Sequence, residues 1–301
     1  MQLPAVLFAD GLSVSRQLDK NKVRRSFERA AQSYDKAAVV QQRTADELID
    51  RLEVLKISPH RILDAGCGTG YALPGLMRRY PDAEFIMLDI SPSMLGRQPL
   101  TDRGKIFPIC GDVESTPLAS HSVDMVFCNA VLEWCELEVV LSEYLRVLKP
   151  EGLLTFATFG PDTLAELVAL WREIDDVLHV HRFTDMHDIG DALVSHQFAM
   201  PVMDVDYVTV THRNLVDAFS DLKQLGAGNA LAERHPGLTG KMKFDQLERI
   251  SQAFRNDNGL LQCTCEIVYG HAWAPMQIEL RDDSGGVVVP LERLRKSEGG
   301  P

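Results

Sequence analysis

Ten consecutive residues, HVHRFTDMHD at positions 179–188, carry three histidines, one arginine and two aspartates. Side chains of these types bind metal ions, transfer protons or hold anionic ligands. His179 and His181 are spaced for one face of a strand, whereas His187 lies six positions beyond His181 in a predicted helix start. None of the six cysteines forms a C-x-x-C pair, and no other residues complete a ligand set. We therefore predict no metal site and leave the roles of these histidines open.

A glycine-rich stretch, LDAGCGTG at positions 63–70, follows an apolar run and precedes a helical pattern. Gly66, Gly68 and Gly70 allow a sharp turn and a close approach of the backbone to a ligand. The dinucleotide motif G-x-G-x-x-G fails in either register, because the last glycine is missing. The spacing G-x-G-x-G is instead typical of a loop that wraps the amino-acid and ribose parts of S-adenosylmethionine.

Polar residues follow the next three predicted strands. Asp89 ends the second strand, nineteen positions beyond Gly70, where a carboxylate can accept hydrogen bonds from both ribose hydroxyls. After the third strand, Asp112 is placed to meet an adenine amino group, with Val113 beside the ring. A turn with the sequence NAVLEW follows the fourth strand. We predict an S-adenosylmethionine site formed by Asp64, Gly66, Gly68, Gly70, Asp89, Ile90, Asp112, Val113 and Asn129.

The elements that must position these residues alternate between strands and helices. The first five predicted strands are RILDAG, EFIMLDI, KIFPIC, VDMVFCN and GLLTFATF, and VMDVDYVTVT and LQCTCEIVYGHAWA follow later. Helical patterns lie between them. This alternation predicts an α/β fold with a mostly parallel, doubly wound sheet.

Helical periodicity predicts further elements on the substrate side of the sheet. Helices are expected at 22–34 and 37–55, where the first carries an apolar face that ends at Tyr34. GPDT is expected to start a helix, with Pro161 in its first turn. A long helical insertion is expected at about 213–255.

The domain organisation follows from these elements. We predict one domain at 20–275, with helical lid insertions at about 160–184 and 213–258. Residues 1–19 are expected to form a loose N-terminal segment. Residues 276–301, rich in Gly, Asp, Glu and Pro, are expected to form a flexible tail.

The composition limits the partners. A formal net charge of −12 disfavours nucleic-acid binding, which needs a basic surface. The best local basic patch is KNKVRR at 20–25. No apolar stretch approaches membrane-spanning length, and the N-terminus lacks a basic region typical of a signal peptide. We predict a cytoplasmic monomer with reduced thiols and with no nucleic-acid or membrane partner.

Between Arg61 and Phe159 the glycine loop, Asp89, Asp112 and the NAVLEW turn make the chain resemble the class I S-adenosylmethionine-dependent methyltransferases. The resemblance implies a seven-stranded sheet in which the last strand runs antiparallel. Enzymes of this class that methylate nucleobase or glutamine nitrogens typically carry N/D-P-P-Y after the fourth strand. The sequence CNAVLEWC occupies that place here, which disfavours such acceptors.

Four stretches make the chain resemble a narrower family: SFERAAQSYDKAA at 26–38, NAVLEWC at 129–135, HVHRF at 179–183 and LKQLGAGNA at 222–230. They are similar to the malonyl-[acyl-carrier protein] O-methyltransferases, which start the pimeloyl chain in biotin synthesis. A related mitochondrial assembly-factor family shares several of these motifs. The resemblance implies methyl transfer from S-adenosylmethionine to the free carboxylate of a malonyl group on acyl-carrier protein.

The implied reaction needs orientation rather than a base, because a carboxylate is already ionised at neutral pH. A guanidinium grips a carboxylate with a fork of donors, so we predict Arg182 as the clamp. Tyr34 would reach the site if its helix acts as a lid, and Trp134 would wall the acceptor pocket. The alternatives are a surface ion pair for Arg182 and plain core packing for Tyr34 and Trp134. Lys223 is expected to be solvated or to meet the phosphate of the carrier's arm.

Two other functions stay open. One is methylation of a quinone or a small carboxylic acid, where His181 or His187 would serve as the base for a phenol. The other is a non-methylating assembly or modification factor that keeps the cofactor fold. The sequence does not discriminate between carrier-protein and coenzyme A thioesters.

Overall fold

The computed structural model describes residues 18–98, 104–175, 177–230, 240–276, 280–281 and 287–288. The expected loose segment at 1–19 and flexible tail at 276–301 therefore fall largely outside the described residues. A seven-stranded sheet forms the centre, in the order β3-β2-β1-β4-β5-β7-β6. Its strands are β1 (Arg61–Ala65), β2 (Glu84–Asp89), β3 (Ile106–Cys110), β4 (Val123–Asn129), β5 (Leu148–Phe159), β6 (Ala199–His212) and β7 (Leu261–Trp273). A separate two-stranded ribbon pairs β8 (Leu280–Arg281) with β9 (Val287–Val288).

The direction of the strands confirms the predicted fold class. β1 to β5 pair in parallel, and β7 pairs antiparallel with both β5 and β6. Because the strand order runs from β1 to β2 and β3 on one side and to β4 and β5 on the other, the carboxyl ends of β1 and β4 flank a topological switch point. Ligands bind in such a crevice in open α/β sheets.

Ten α-helices surround the sheet within the described residues. They are α1 (Lys20–Ala30), α2 (Tyr34–Ala37), α3 (Val39–Arg51), α4 (Leu73–Arg79), α5 (Pro92–Leu95), α6 (Leu137–Val147), α7 (Ala165–Arg172), α8 (Met186–Ser195), α9 (Leu215–Gln224) and α10 (Lys241–Ile250). Short 3-10 turns cover Leu52–Val54, Leu132–Trp134 and Ser251–Phe254. No helix in this part of the chain is long and apolar enough to cross a bilayer.

The first predicted helix, at 22–34, is broken in the structure. α1 ends at Ala30, and α2 begins at Tyr34. The Ser33 hydroxyl donates to the Ala30 carbonyl and, across the molecule, to the Gln224 carbonyl, both at 3.2 Å. Side-chain bonds of this kind compete with helical hydrogen bonds, so the chain turns here. The break places Tyr34 at the start of a second helix rather than at the end of the first.

One further helix prediction needs correction. GPDT does not start a helix: Leu164 has a left-handed φ of 58°, and α7 begins at Ala165. The Glu266 carboxylate holds the preceding turn by accepting the Asp162 N–H at 2.7 Å. The predicted helical insertion at 213–255 contains α9, α10 and a 3-10 turn within the described residues.

The core lies on both faces of the sheet because successive strand residues point to opposite sides. Leu63 and Val126 contribute to the cluster that packs against α6 and α8, whereas Ile62 and Phe127 face α3 and α4. A third cluster joins α7, α9 and α10 to the start of β7. This third cluster holds the substrate-side helices in place beside the sheet.

Candidate active site

The glycine loop leaves β1 in a conformation that glycine favours. Gly66, Gly68 and Gly70 have φ values of 72°, 54° and 83°. The N–H groups of Gly66 and Cys67 both donate to the Leu88 carbonyl, at 2.8 and 3.0 Å. A Cβ on Gly66 would lie only 2.3 Å from Cγ2 of Val131. The first glycine is therefore required both by its φ and by the side chain packed against it.

Asp89 connects this loop to the end of β2. Its carboxylate accepts the Gly68 N–H at 2.9 Å and the Ser91 N–H at 2.7 Å. Burial raises the pKa of Asp89 to about 6, although both backbone donors oppose the rise. The two donors hold the carboxylate at the mouth of the glycine loop, where ribose hydroxyls would reach it.

Asp64 lies beneath the loop as a buried carboxyl group. No group in the described part of the chain donates to its Oδ2 atom. Burial, and then the charge of Asp89, raise the pKa of Asp64 to about 8. With its pKa at about 8, the carboxyl group is mostly protonated at neutral pH, which avoids the cost of an unpaired buried charge.

Seven of the nine predicted cofactor residues line one narrow cleft of about 70 Å³ beside the loop. They are Gly66, Gly68, Asp89, Ile90, Asp112, Val113 and Asn129. Asp64 and Gly70 do not line it. A Cβ on Gly70 would instead lie 3.2 Å from the Gln98 side chain, so Gly70 shapes the loop from behind.

Asn129, at the end of β4, is held by α3. Its Oδ1 accepts from the Thr44 hydroxyl at 2.8 Å, and its Nδ2 donates to the Gln41 carbonyl at 3.0 Å. Ala130 follows with a φ of 56°, and the 3-10 turn Leu132–Trp134 begins soon after. The NAVLEW stretch is therefore a sharp corner that brings several side chains to the end of the sheet.

α1 covers the cofactor cleft. The Lys20 ammonium lies 3.3 Å from Asp112 Oδ1 and 2.8 Å from Glu114 Oε1. Val23 and Phe27 from the same helix also line the cleft. Pockets for drug-sized ligands measure roughly 300–1,000 Å³, so the cleft in this structure is smaller than a site that holds all of S-adenosylmethionine. The side chains and backbone groups that line the cleft nevertheless fit the ribose and adenine of this cofactor.

A second, larger cavity of about 920 Å³ lies between α1, α2, α7, α9 and β7. Most of its wall is apolar, and the cations Arg29, Lys36 and Lys223 also line it. The two cavities share part of their walls. The shared residues are Phe27, Tyr34, Ala130 and Trp134.

A chain of rings follows this shared wall. Trp134 is at its centre, edge-on to Phe27 at 5.4 Å and tilted against His181 at 4.8 Å between ring centroids. The structure thus brings Tyr34 and Trp134 together at the junction of the cavities, as the lid interpretation requires. The successive rings are Tyr34, Phe27, Trp134, His181, Phe183 and Phe159.

The Tyr34 hydroxyl remains protonated at all ordinary pH values. Burial raises its pKa well above the usual range, and the charges of Asp89, Glu133 and Asp35 add to the rise. A protonated phenol is a hydrogen-bond donor. Tyr34 can therefore donate to an anionic acceptor at the junction but is a poor base.

Arg182 is not where the predicted carboxylate clamp requires it to be. Its side chain is exposed, and it does not line the large cavity. The residues on either side, His181 and Phe183, do line the cavity. Alternation of this kind is typical of an extended chain, in which neighbouring side chains point in opposite directions. The aromatic packing of His181 and Phe183 thus directs Arg182 outward.

The three histidines of the opening stretch lie in separate environments. His179 stacks on Trp171 with ring centroids 3.5 Å apart and bonds Asp175 at 2.8 Å. His187 is exposed and contacts Asp185, which caps α8. The described residues contain no group of three or more His, Cys, Asp or Glu side chains that fits a metal ion.

His181 is the buried member of the three. Burial lowers its pKa to about 4, so the imidazole is neutral at physiological pH. Its Nε2 atom is buried and has no hydrogen-bond partner among the described residues. The His181 ring therefore lines the large cavity as a neutral, mostly apolar group whose Nε2 atom has no partner among the described residues.

One polar residue that lines the large cavity was not predicted from the sequence. Glu133 lines the wall between Ala130 and Trp134. Its Oε2 accepts from the Thr158 hydroxyl at 3.0 Å, and burial raises its pKa to about 7. Its position in the turn after β4, directly beside Trp134, is the one sequence feature that could have indicated a place at the site. Burial, which changes its chemistry, became visible only in the folded structure.

Residues 63–156 match a family described as a methyltransferase domain. The chain is 45% identical over 267 residues to a malonyl-[acyl-carrier protein] O-methyltransferase of Methylovorus sp. (strain MP688), covering 86% of this chain and 90% of that one. A protein of the same name from Halorhodospira halophila is 40% identical over 94% of this chain and 97% of its own length.

Two solved structures share the fold at low sequence identity. The YcgJ protein of Bacillus subtilis has a TM-score of 0.55 at 15% identity and covers 77% of this chain and 98% of its own. A presumed methyltransferase of Bacillus halodurans C-125 has a TM-score of 0.54 at 17% identity, with coverages of 75% and 97%. At such identities the likeness supports the architecture alone.

Proposed function

Because the chain belongs to the malonyl-[acyl-carrier protein] O-methyltransferase family, we propose that it methylates the free carboxylate of a malonyl group carried by acyl-carrier protein. The methyl donor is S-adenosylmethionine. The observation that carries this proposal is the junction of the two cavities at Phe27, Tyr34, Ala130 and Trp134. A donor in one cavity and an acceptor in the other meet there. The product, a methyl ester, starts the pimeloyl chain for biotin.

The cofactor cleft supplies partners for the ribose and the adenine of the donor. S-adenosylmethionine, when bound, supplies a methyl group on a positively charged sulfur. Asp89 would accept hydrogen bonds from the ribose, and Asp112 would accept one from the adenine amino group beside Val113; all three residues line the cleft. The backbone of the glycine loop allows close approach. Lys20 and the Glu114 N–H contact Oδ1 of Asp112, so the adenine amino group would bond Oδ2.

The acceptor cavity must orient an ionised carboxylate. No proton has to be removed, so the task is to place one oxygen in line with the transferred methyl group, and positioning contributes up to roughly 7–11 kcal/mol. The Tyr34 hydroxyl donates a hydrogen bond to this carboxylate. Phe27 and Trp134 exclude water from the junction, which strengthens that hydrogen bond.

The outer part of the cavity suits the arm of a carrier protein. A cavity of about 920 Å³ is far larger than a malonyl group needs. Arg29, Lys36 and Lys223 line it, although the whole chain carries a net charge of −12. These cations fit the phosphate of the arm and the acidic surface of the carrier, because local complementarity steers association even for an acidic enzyme.

The test is to mix the protein with methyl-labelled S-adenosylmethionine and malonyl-carrier protein. We expect label on the carrier as a base-labile methyl ester. Acetyl-carrier protein, which has no free carboxylate, is the matched control and should stay unlabelled. Malonyl-coenzyme A and free malonate test how far the carrier is needed. Label on a quinol or a free acid, with none on malonyl-carrier protein, would overturn the proposal.

A further inference from the structure

An acid stands in the wall of the cavity that must receive an anion. Glu133 lies in the 3-10 turn after β4, directly beside Trp134 at the junction. No cation pairs with it within the described residues; its hydrogen bonds come from the Thr158 hydroxyl and from its own backbone N–H. Arg182 does not line the cavity, so no arginine from the stretch 179–188 offsets this acid.

Two carboxylates in contact cannot both be ionised, because like charges at hydrogen-bond distance raise the pKa of one of them. A neutral carboxylic acid, in contrast, donates a strong hydrogen bond to a carboxylate. Burial already raises the pKa of Glu133 to about 7. An approaching anion favours the protonated form further. The wall therefore changes from repulsive to attractive when Glu133 binds one proton.

We propose that Glu133 binds the acceptor as a neutral carboxylic acid, through an O–H···O⁻ hydrogen bond that selects acyl groups ending in a free carboxylate. This inference rests on the proposed function and identifies the residue that would determine acceptor specificity. During methyl transfer the proton stays on Glu133. A new O–CH3 bond forms on the other carboxylate oxygen while the S–CH3 bond breaks, and its electron pair remains on sulfur. The ester that results is a neutral, weaker acceptor, which favours its release.

Several titratable groups surround Glu133, so its titration has to be separated from theirs. Burial raises the pKa of Cys128 to about 12 and lowers that of His181 to about 4. Asp89, across Tyr34, has a pKa raised by burial to about 6. The other ionisable side chains that line the cavity are Arg29, Tyr34, Lys36, His179, His212, Asp221, Lys223, Cys263 and Cys265.

The decisive experiment measures KM and kcat for malonyl-carrier protein between pH 6 and pH 8.5, with saturating S-adenosylmethionine. For the wild type we expect KM to rise about tenfold from pH 6 to pH 8 as Glu133 loses its proton. Glu133→Gln keeps the shape and a permanent donor, so its KM should not vary with pH. At pH 8 the variant should bind the acceptor about tenfold more tightly than the wild type.

Thr158→Val provides a signature that a merely structural role would not give. The Thr158 hydroxyl stabilises the ionised form of Glu133, so its loss should move the midpoint of the KM profile upward by about one pH unit. Glu138→Gln on α6 is the matched control, since Glu138 is an exposed acid that does not line the cavity. Its profile should coincide with that of the wild type.

Binding gives a second readout. Calorimetric titration of malonyl-carrier protein into the complex with S-adenosylhomocysteine should show the same pH dependence in the wild type and none in Glu133→Gln. The inference would be overturned if Glu133→Gln kept the pH profile of the wild type, or if the variant lost affinity for malonyl-carrier protein equally at every pH. Absence of any methyl ester with the wild-type enzyme would overturn the proposed function instead.

Discussion

The cofactor cleft and the acceptor cavity meet at one wall but are built in different ways. The cleft lies where the ends of β1, β2, β3 and β4 converge, and backbone N–H groups and glycine φ angles fix its shape. The cavity lies among α1, α2, α7, α9 and the segment 177–185, and side-chain packing fixes its shape. We expect the cofactor cleft to lose ligand affinity when a substitution constrains its backbone. We expect the acceptor cavity to lose activity when a substitution removes a single polar atom.

The strongest test of the backbone-built cleft is Gly66→Ala. A left-handed φ and a Cβ 2.3 Å from Val131 together cost roughly 2–5 kcal/mol. Calorimetric affinity for S-adenosylhomocysteine should fall about a hundredfold or more. Gly240→Ala is the control, because an added methyl group there would meet nothing within 4 Å and the residue lines neither cavity. The double variant with Val131→Ala should recover only part of the loss, since the strain in φ remains.

The counterpart in the packed cavity is Tyr34→Phe, which removes one oxygen atom. Hydrogen bonds to charged groups contribute about 1.5–3 kcal/mol, so kcat/KM for malonyl-carrier protein should fall about 10–100-fold. Affinity for S-adenosylhomocysteine should stay unchanged. Tyr71→Phe is the matched control, because the Tyr71 hydroxyl bonds Asp46 on the surface. If the two variants behave alike, Tyr34 is a core residue and the two regions do not divide the work as described.

Asp64, buried beneath the glycine loop, should make the stability of the protein depend on pH. The pKa of Asp64 is about 8 in the folded protein, above its ordinary value near 3.8. Between these values the folded state holds a proton that the unfolded state has lost, so stability falls as pH rises from about 4 to about 8.

Asp64→Asn removes this dependence. Thermal unfolding should show a gain in Tm of at least about 2 °C at pH 8, relative to the wild type, and a smaller gain at pH 5. Asp82→Asn, an exposed acid on the surface, should show no such difference. A gain of equal size at both pH values would mean that Asp64 is not the titrating group.

The smallest effect is expected at Arg182. Because its side chain is exposed and does not line the cavity, Arg182→Ala should change kcat/KM less than about threefold, as is usual for surface sites. Lys223→Ala at the cavity wall should raise KM more than Arg182→Ala does. A hundredfold loss in Arg182→Ala would restore the carboxylate clamp predicted from the sequence.

Site residues at the ends of strands were easier to predict from the sequence than residues in the packed wall of the acceptor cavity. The seven strands of the sheet were predicted from apolar runs, and parallel strands bring Asp89, Asp112 and Asn129 to one edge regardless of the surrounding side chains. The break between α1 and α2 was not predictable, because the second hydrogen bond of Ser33 goes to Gln224, far along the chain.

The direction of side chains and their protonation states could not be predicted from the sequence either. Arg182 points outward because His181 packs between Trp134 and Phe183, which no local spacing reveals. Glu133 has an unusual pKa only through burial. The roles of these residues, the cytoplasmic location and the monomeric state stay predictions.

α1 gives the two regions a common moving part. Lys20 and Val23 line the cofactor cleft, Ser26 and Arg29 line the acceptor cavity, and Phe27 lines both. The helix is continuous over these residues, so an outward movement at one cavity displaces the wall of the other. Donor and acceptor are then thermodynamically linked: each changes the affinity of the other by the same factor. Because one continuous helix lines both cavities, we expect two chemically unrelated molecules to bind cooperatively.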